Sequence, residues 1–211
     1  MSESLNQTYF EFFSLPRKLT LDGPALEKQF YTLSRKLHPD RFAAKPVAEQ
    51  EAALAQSSLL NDAYRTLKDP IARTQYLLTL EGIQLEEQSK AATDAARATG
   101  TEKKQVVPPE LLEEVFELNM QLAEMRAAKQ MGESPDDEPE LRNSLLTAKA
   151  SFDAKMVETQ AELEALWAKW DAALEAGDER VQTATRDAMV VLLNKRSYLR
   201  NLVRDVNEAL E

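Results

Sequence analysis

The chain has 211 residues, 43% of them hydrophobic and 29% charged, with a formal net charge of −10 and no cysteine. This is the balance of a globular, soluble protein; it excludes disulfides, thiolate metal sites and cysteine nucleophiles, and the acidity argues against nucleic acid as the main partner, because phosphate binding needs clustered lysine and arginine. No stretch approaches the roughly 20 apolar residues of a membrane helix, and no secretory or organellar signal pattern is visible, so the expectation is a cytoplasmic protein with no membrane partner.

All five glycines and nine prolines fall between candidate helices or in their first turns, and no segment alternates as a strand would. The chain therefore reads as all-α, with helices predicted at 6–14, 24–37, 47–68, 71–80, 109–130, 140–176 and 179–210. The first is aromatic, containing Tyr9, Phe10, Phe12 and Phe13. In the second, Leu26, Phe30, Leu33 and Leu37 recur at spacings of four, three and four, one face of a helix, while Lys28 and Arg35 project from the opposite face and Lys36 from its flank. Pro39 disfavours helical geometry at His38, so the helix ends there and His38-Pro39-Asp40 stands in an exposed loop. Residues 1–45 hold seven lysines and arginines against five acids, giving +2 here and −12 in the remainder. A basic patch on an acidic protein suits a negatively charged protein partner steered to one surface.

Downstream, Leu60-Asn61-Asp62-Ala63-Tyr64-Arg65-Thr66-Leu67-Lys68-Asp69-Pro70 is followed by Arg73 and Tyr76. An aromatic first helix, a basic second helix, the His-Pro-Asp loop and an N-x-A-Y-x-x-L-x-D-P-x-x-R segment together resemble a J domain, over residues 6–76.

Residues 86–107 are rich in Ala, Thr, Gln and Lys without long apolar periodicity, which reads as a linker or weak helix. Pro108-Pro109 then opens a second domain of three helices, the last two roughly 55 and 48 Å long and able to pair along their length. Leu141, Leu145, Ala148, Phe152, Leu163, Leu166, Trp170 and Leu174 lie near one face of the first long helix, and Val181, Ala188, Leu192, Leu199, Leu202, Val206 and Leu210 near one face of the other. Trp167 and Trp170 fit the bundle core or its edge better than a ligand platform. Asp136-Asp137-Glu138 marks an acidic, solvated loop between Gly132 and Pro139. The domain assignment is thus 1–80, a linker at 81–108, and a three-helix bundle at 109–211.

The helix at 109–130 is apolar on two stripes: Leu111, Val115, Leu118, Leu122 and Met125, and beside them Leu112, Phe116 and Met120. Together they cover roughly 220°, about double what a core-facing surface helix needs. Either one stripe packs inward and leaves the other for a partner, or the helix is buried on two sides. Catalytic chemistry is scarce. The single histidine has no second imidazole or thiol near it in sequence, no glycine-rich phosphate loop exists, and the carboxylates on the helices read as solvated surface, so neither an enzyme nor a metal or cofactor site is expected.

A J domain followed by an acidic three-helix bundle, at this length, resembles the HscB-type cochaperones of iron–sulfur cluster assembly. The resemblance implies that Lys28, Arg35, Lys36, His38, Pro39, Asp40 and Arg41 engage a DnaK/HscA-type chaperone and stimulate its ATPase, while the bundle delivers an IscU-type iron–sulfur scaffold protein. By family position, scaffold contacts fall on Leu112, Phe116, Glu117, Met120 and Leu192. Two positions depart from the pattern: Glu113 stands where a large apolar residue is usual, and Met120 where an acid is usual. The chain is expected to be monomeric. A J-domain cochaperone with another client, and a non-catalytic helical adaptor, are the alternatives left open by the residues themselves.

Overall fold

The computed structural model describes residues 7–83, 107–132 and 134–211. Among them are seven α-helices and no strand: α1 (Tyr9–Phe12), α2 (Gly23–Leu37), α3 (Val47–Lys68), α4 (Pro70–Leu80), α5 (Leu112–Gln130), α6 (Pro139–Ala176) and α7 (Glu179–Leu210). Short 3₁₀ turns occupy Pro39–Phe42 and Pro109–Leu111. Most of the predicted linker, residues 84–106, lies outside the described residues.

Local chemistry explains where the helices begin and end. Thr8 and Glu11 form a reciprocal capping box at the start of α1. That helix is shorter than predicted because Ser14 adopts a left-handed φ of 51°, two residues before Pro16. Asp22 caps α2 through Ala25 N–H at 3.0 Å, with Gly23 and Pro24 in the first turn. Asp69 caps α4 in the same way through Ala72 N–H at 2.8 Å; caps of this kind contribute about 1 kcal/mol each. Between α6 and α7, Gly177 turns the chain at φ 67°, and Asp178 accepts from Val181 N–H at 3.0 Å.

Packing divides the described residues into two compact units, one drawn from Met1–Leu85 with Trp167–Arg186, the other from Glu86–Leu166 with Asp187–Glu211. In the first, α1, α2 and α4 pack on α3 around Phe10, Phe13, Leu19, Leu26, Leu60, Leu67, Leu77 and Leu78. Tyr9 stacks on Tyr76 at 4.3 Å between ring centroids and donates its amide to the Tyr76 hydroxyl at 2.9 Å. Phe30 stacks on Tyr64 at 4.2 Å. Of the predicted α2 stripe, Leu26 is buried and Phe30, Leu33 and Leu37 are half-buried.

The end of the α6–α7 hairpin belongs to this first unit and grips the segment between α1 and α2. Asp171 accepts from Leu19 N–H at 2.7 Å and Thr20 N–H at 2.8 Å. The Trp170 indole donates to the Arg17 carbonyl at 3.0 Å, and Lys18 pairs with Glu175. From the other side, buried Arg73 donates to the carbonyls of Leu19 and Leu67. Burial lowers the Arg73 pKa from the ordinary guanidinium value, and the Asp171 and Asp69 carboxylates oppose that shift. Asp171 corrects the reading of all helix carboxylates as solvated surface, since it is buried. Both tryptophans are buried, but in the first unit and not in the apolar cluster of the second, where the sequence reading set them.

In the second unit, Leu111, Val115, Leu118, Leu122 and Met125 of α5 and its preceding turn meet Leu141, Leu145 and Phe152 of α6 and Tyr198, Leu199, Leu202, Val206 and Ala209 of α7. On α7 the burial departs from the predicted single face: Thr185, Met189 and Leu193 are buried, whereas Val181, Ala188, Leu192 and Leu210 are half-buried. The buried line shifts because the line from Tyr198 onward is the one shared with α5. Lys195, paired with Glu110 at 3.5 Å, marks the level at which α5 begins.

Candidate functional site

The His-Pro-Asp tripeptide sits where sequence places it, although in a turn rather than an irregular loop. His38 leaves the helix with ψ 127°, as a residue before proline must, and caps the 3₁₀ turn Pro39–Phe42 that follows. Its Nδ1 lies 3.4 Å from Asp40 N–H and 3.5 Å from the Asp40 carboxylate. Arg41 folds back and donates to the Arg35 carbonyl at 3.2 Å, closing the end of α2. Gln50 on α3 donates to the carbonyls of Ala43 and Lys45, which ties the far side of the turn to α3. The turn is thus held at both ends while His38, Asp40 and Arg41 remain exposed and Pro39 half-buried.

Lys28, Arg35 and Lys36 are exposed on α2, so the structure gathers all seven residues of this set on one helix and the turn at its end. Tyr31, which periodicity did not single out, is also exposed and lines a shallow depression with Lys28, Thr32 and Arg35. Its signal was available: Tyr31 falls between the two lysine and arginine positions on the polar face, where an aromatic ring has no core to enter.

On α5 the two stripes separate cleanly. The first is buried, and Leu112, Phe116 and Met120 are 56%, 66% and 60% exposed. At 100° per residue, measured from the middle of the buried stripe, these three stand about 100°, 140° and 180° away. Polar pairing fixes which edge of α5 is which. Glu114 meets Lys155 at 3.1 Å and Ser151 at 3.3 Å, and Gln121 donates to Ser144 at 2.7 Å, so that edge faces α6. Leu112 lies on the opposite edge. Glu117 is exposed on α5, and Leu192 is half-buried on α7. Among the described residues no group of three or more His, Asp or Glu could hold a metal ion, and no helix is long and apolar enough to cross a membrane.

Comparison with known proteins adds identity to this geometry. The DnaJ domain family matches residues 8–76. Co-chaperone protein HscB homologs from two strains of Vibrio cholerae serotype O1 are each 47% identical over 77 residues, which is 36% of this chain and 45% of theirs. The solved chaperone HscB from Vibrio cholerae aligns over 96% of both chains, with 26% identity and a TM-score of 0.57. The chain carries a DnaJ domain and is similar to HscB co-chaperones. The crystal structure of human co-chaperone protein HscB, at 22% identity and a TM-score of 0.55, covers 99% of this chain and 84% of its own and shares the fold. Sequence similarity to the curated relatives spans less than half of their length. The structural match spans both units. The His-Pro-Asp turn, at residues 38–40, falls within the family match.

Proposed function

We propose that this chain is a cochaperone that stimulates the ATPase of a DnaK/HscA-type chaperone and brings to it an IscU-type iron–sulfur scaffold protein. The observation that carries the first half is the His38-Pro39-Asp40 turn, anchored by Arg41 and Gln50 yet exposed, at the end of a helix bearing Lys28, Arg35 and Lys36. Exposed cations steer an acidic partner into encounter, and their effect is screened by salt over a Debye length of about 8 Å at physiological ionic strength. A turn held at both ends presents its side chains without an ordering cost on binding. The second half is supported by the solvent-facing stripe Leu112, Phe116 and Met120, with Glu117 and Leu192 beside it, a surface that the fold does not require for its core.

Single-turnover ATP hydrolysis by the chaperone tests the first half. His38→Gln is expected to abolish stimulation with thermal unfolding unchanged, because His38 is exposed and packs no core; stimulation equal to wild type rejects the reading. Arg35→Ala should weaken chaperone binding and flatten its salt dependence. For the second half, Leu112→Ala/Phe116→Ala should weaken scaffold binding about thirtyfold, the usual effect of losing an interface anchor of about 2 kcal/mol. Unfolding should change little. Intact affinity with a large fall in melting temperature would assign both side chains to the core.

A further inference from the structure

We infer that Val191 is a further anchor of the client surface, extending the apolar stripe of α5 onto α7; this rests on the scaffold-binding reading proposed above. Val191 precedes Tyr198, Leu202 and Ala209 by seven, eleven and eighteen residues, so it continues the line of α7 that is buried against α5 lower down. Yet Val191 itself is 65% exposed. The Glu110–Lys195 pair, 3.5 Å apart, explains the contrast: α5 begins beside Lys195, one turn past Val191, and does not reach back to cover it. Leu192, the next residue, is half-buried on the other side of the Lys195 line. Leu112, in the first turn of α5, lies on the edge opposite the one that faces α6. The ion pair thus sets Leu112, at the start of α5, about one turn along α7 from Val191 and Leu192.

The rim of this patch indicates what covers it. Glu110, Glu113, Glu117 and Glu124 are all exposed along α5, and the two lysines that pair with its start, Lys195 and Lys155, are engaged by Glu110 and Glu114. A second copy of the chain would set this acidic rim against itself across a symmetric interface. A partner with an apolar patch edged by lysine or arginine satisfies both parts of the surface. The occupant is therefore the proposed client, bearing such a basic-edged patch.

The test is calorimetric titration of the full chain with the iron–sulfur scaffold protein, comparing Val191→Glu, Val191→Leu and Val157→Glu with Leu112→Ala/Phe116→Ala. Val157, 71% exposed on α6, is the control for adding a carboxylate to an exposed valine position. Val191→Glu is expected to weaken binding at least tenfold, Val191→Leu to preserve it, and Val157→Glu to leave it unchanged, with equal melting temperatures throughout. Full affinity of Val191→Glu beside a weakened Leu112→Ala/Phe116→Ala would overturn this inference and leave the scaffold reading standing. No binding by the wild-type chain would overturn the scaffold reading and this inference with it. Concentration-dependent self-association of the wild type in the ultracentrifuge, lost in Val191→Glu, would assign the patch to a second copy and overturn the choice of client.

Discussion

In the first unit, Arg73 and Asp171 are buried and between them bind both amides and the intervening carbonyl of Leu19 and Thr20. In the second, the cluster from Leu111 to Ala209 has no charged member. The difference follows from what each core encloses. A helix satisfies its own backbone groups, so three long helices close a core with apolar stripes alone. Leu19 is fully buried in a segment that is not helical, and its backbone needs side-chain partners or would be left unpaired away from water. Charge enters a core here where the chain runs out of regular structure.

The comparison is open to attack at four points, in descending order of expected effect. Phe152→Ala, in the apolar cluster, should cost about 3–5 kcal/mol in urea unfolding by removing a fully buried ring. Arg73→Met should cost about 3 kcal/mol by leaving two buried carbonyls without donors. Arg73→Lys should recover only part of that, because an ammonium lacks the guanidinium fork. If Arg73→Met proves neutral, water replaces the clamp and the contrast between the cores fails.

Asp171→Asn keeps one acceptor and turns the other into a donor facing an N–H group, so a loss of about 1–2 kcal/mol is expected. Amide exchange at Leu19 and Thr20 should quicken while exchange within α5 stays as it was. The smallest effect is electrostatic and local to α1. The Thr8 amide, donating at 2.8 Å, holds the Glu11 carboxyl below its ordinary value of 4.5. A carboxylate with a depressed folded pKa contributes stability that is present above pH 4.5 and is lost as pH falls through the lower folded value. The difference in urea midpoint between wild type and Glu11→Gln should therefore be constant above that pH and shrink below it.

Much of this was legible in sequence, for reasons that differ by region. The helices of both units and the buried stripe of α5 followed from leucine spacing, because each helix carries a solvent face and a core face. The His-Pro-Asp turn was legible because proline restricts the residue before it whatever the rest of the chain does. The surplus of the α5 stripe was also readable, since one helix cannot turn 220° of apolar surface toward a single core. Asp171 was not: it is one carboxylate among many on an acidic helix, and its partners lie 151 and 152 residues away. The shift of the buried line along α7 was hidden for a related reason. A single periodicity cannot report that the helix changes neighbours part-way, and the same change leaves Val191 uncovered. Grouping by packing rather than by chain order, which sets residues 167–186 with the N-terminal segment, rests on these long-range hydrogen bonds and on no local pattern.

The grip of the hairpin end on residues 17–20 also has a consequence in the order of synthesis. Asp171 is made 88 residues after Ile83, an interval of roughly 4 to 18 s at the usual rates of translation. Throughout it, the Leu19 and Thr20 amides lack the carboxylate that will receive them, and the Arg17 carbonyl lacks its indole. A segment made well before its partners is therefore among the last to be finished.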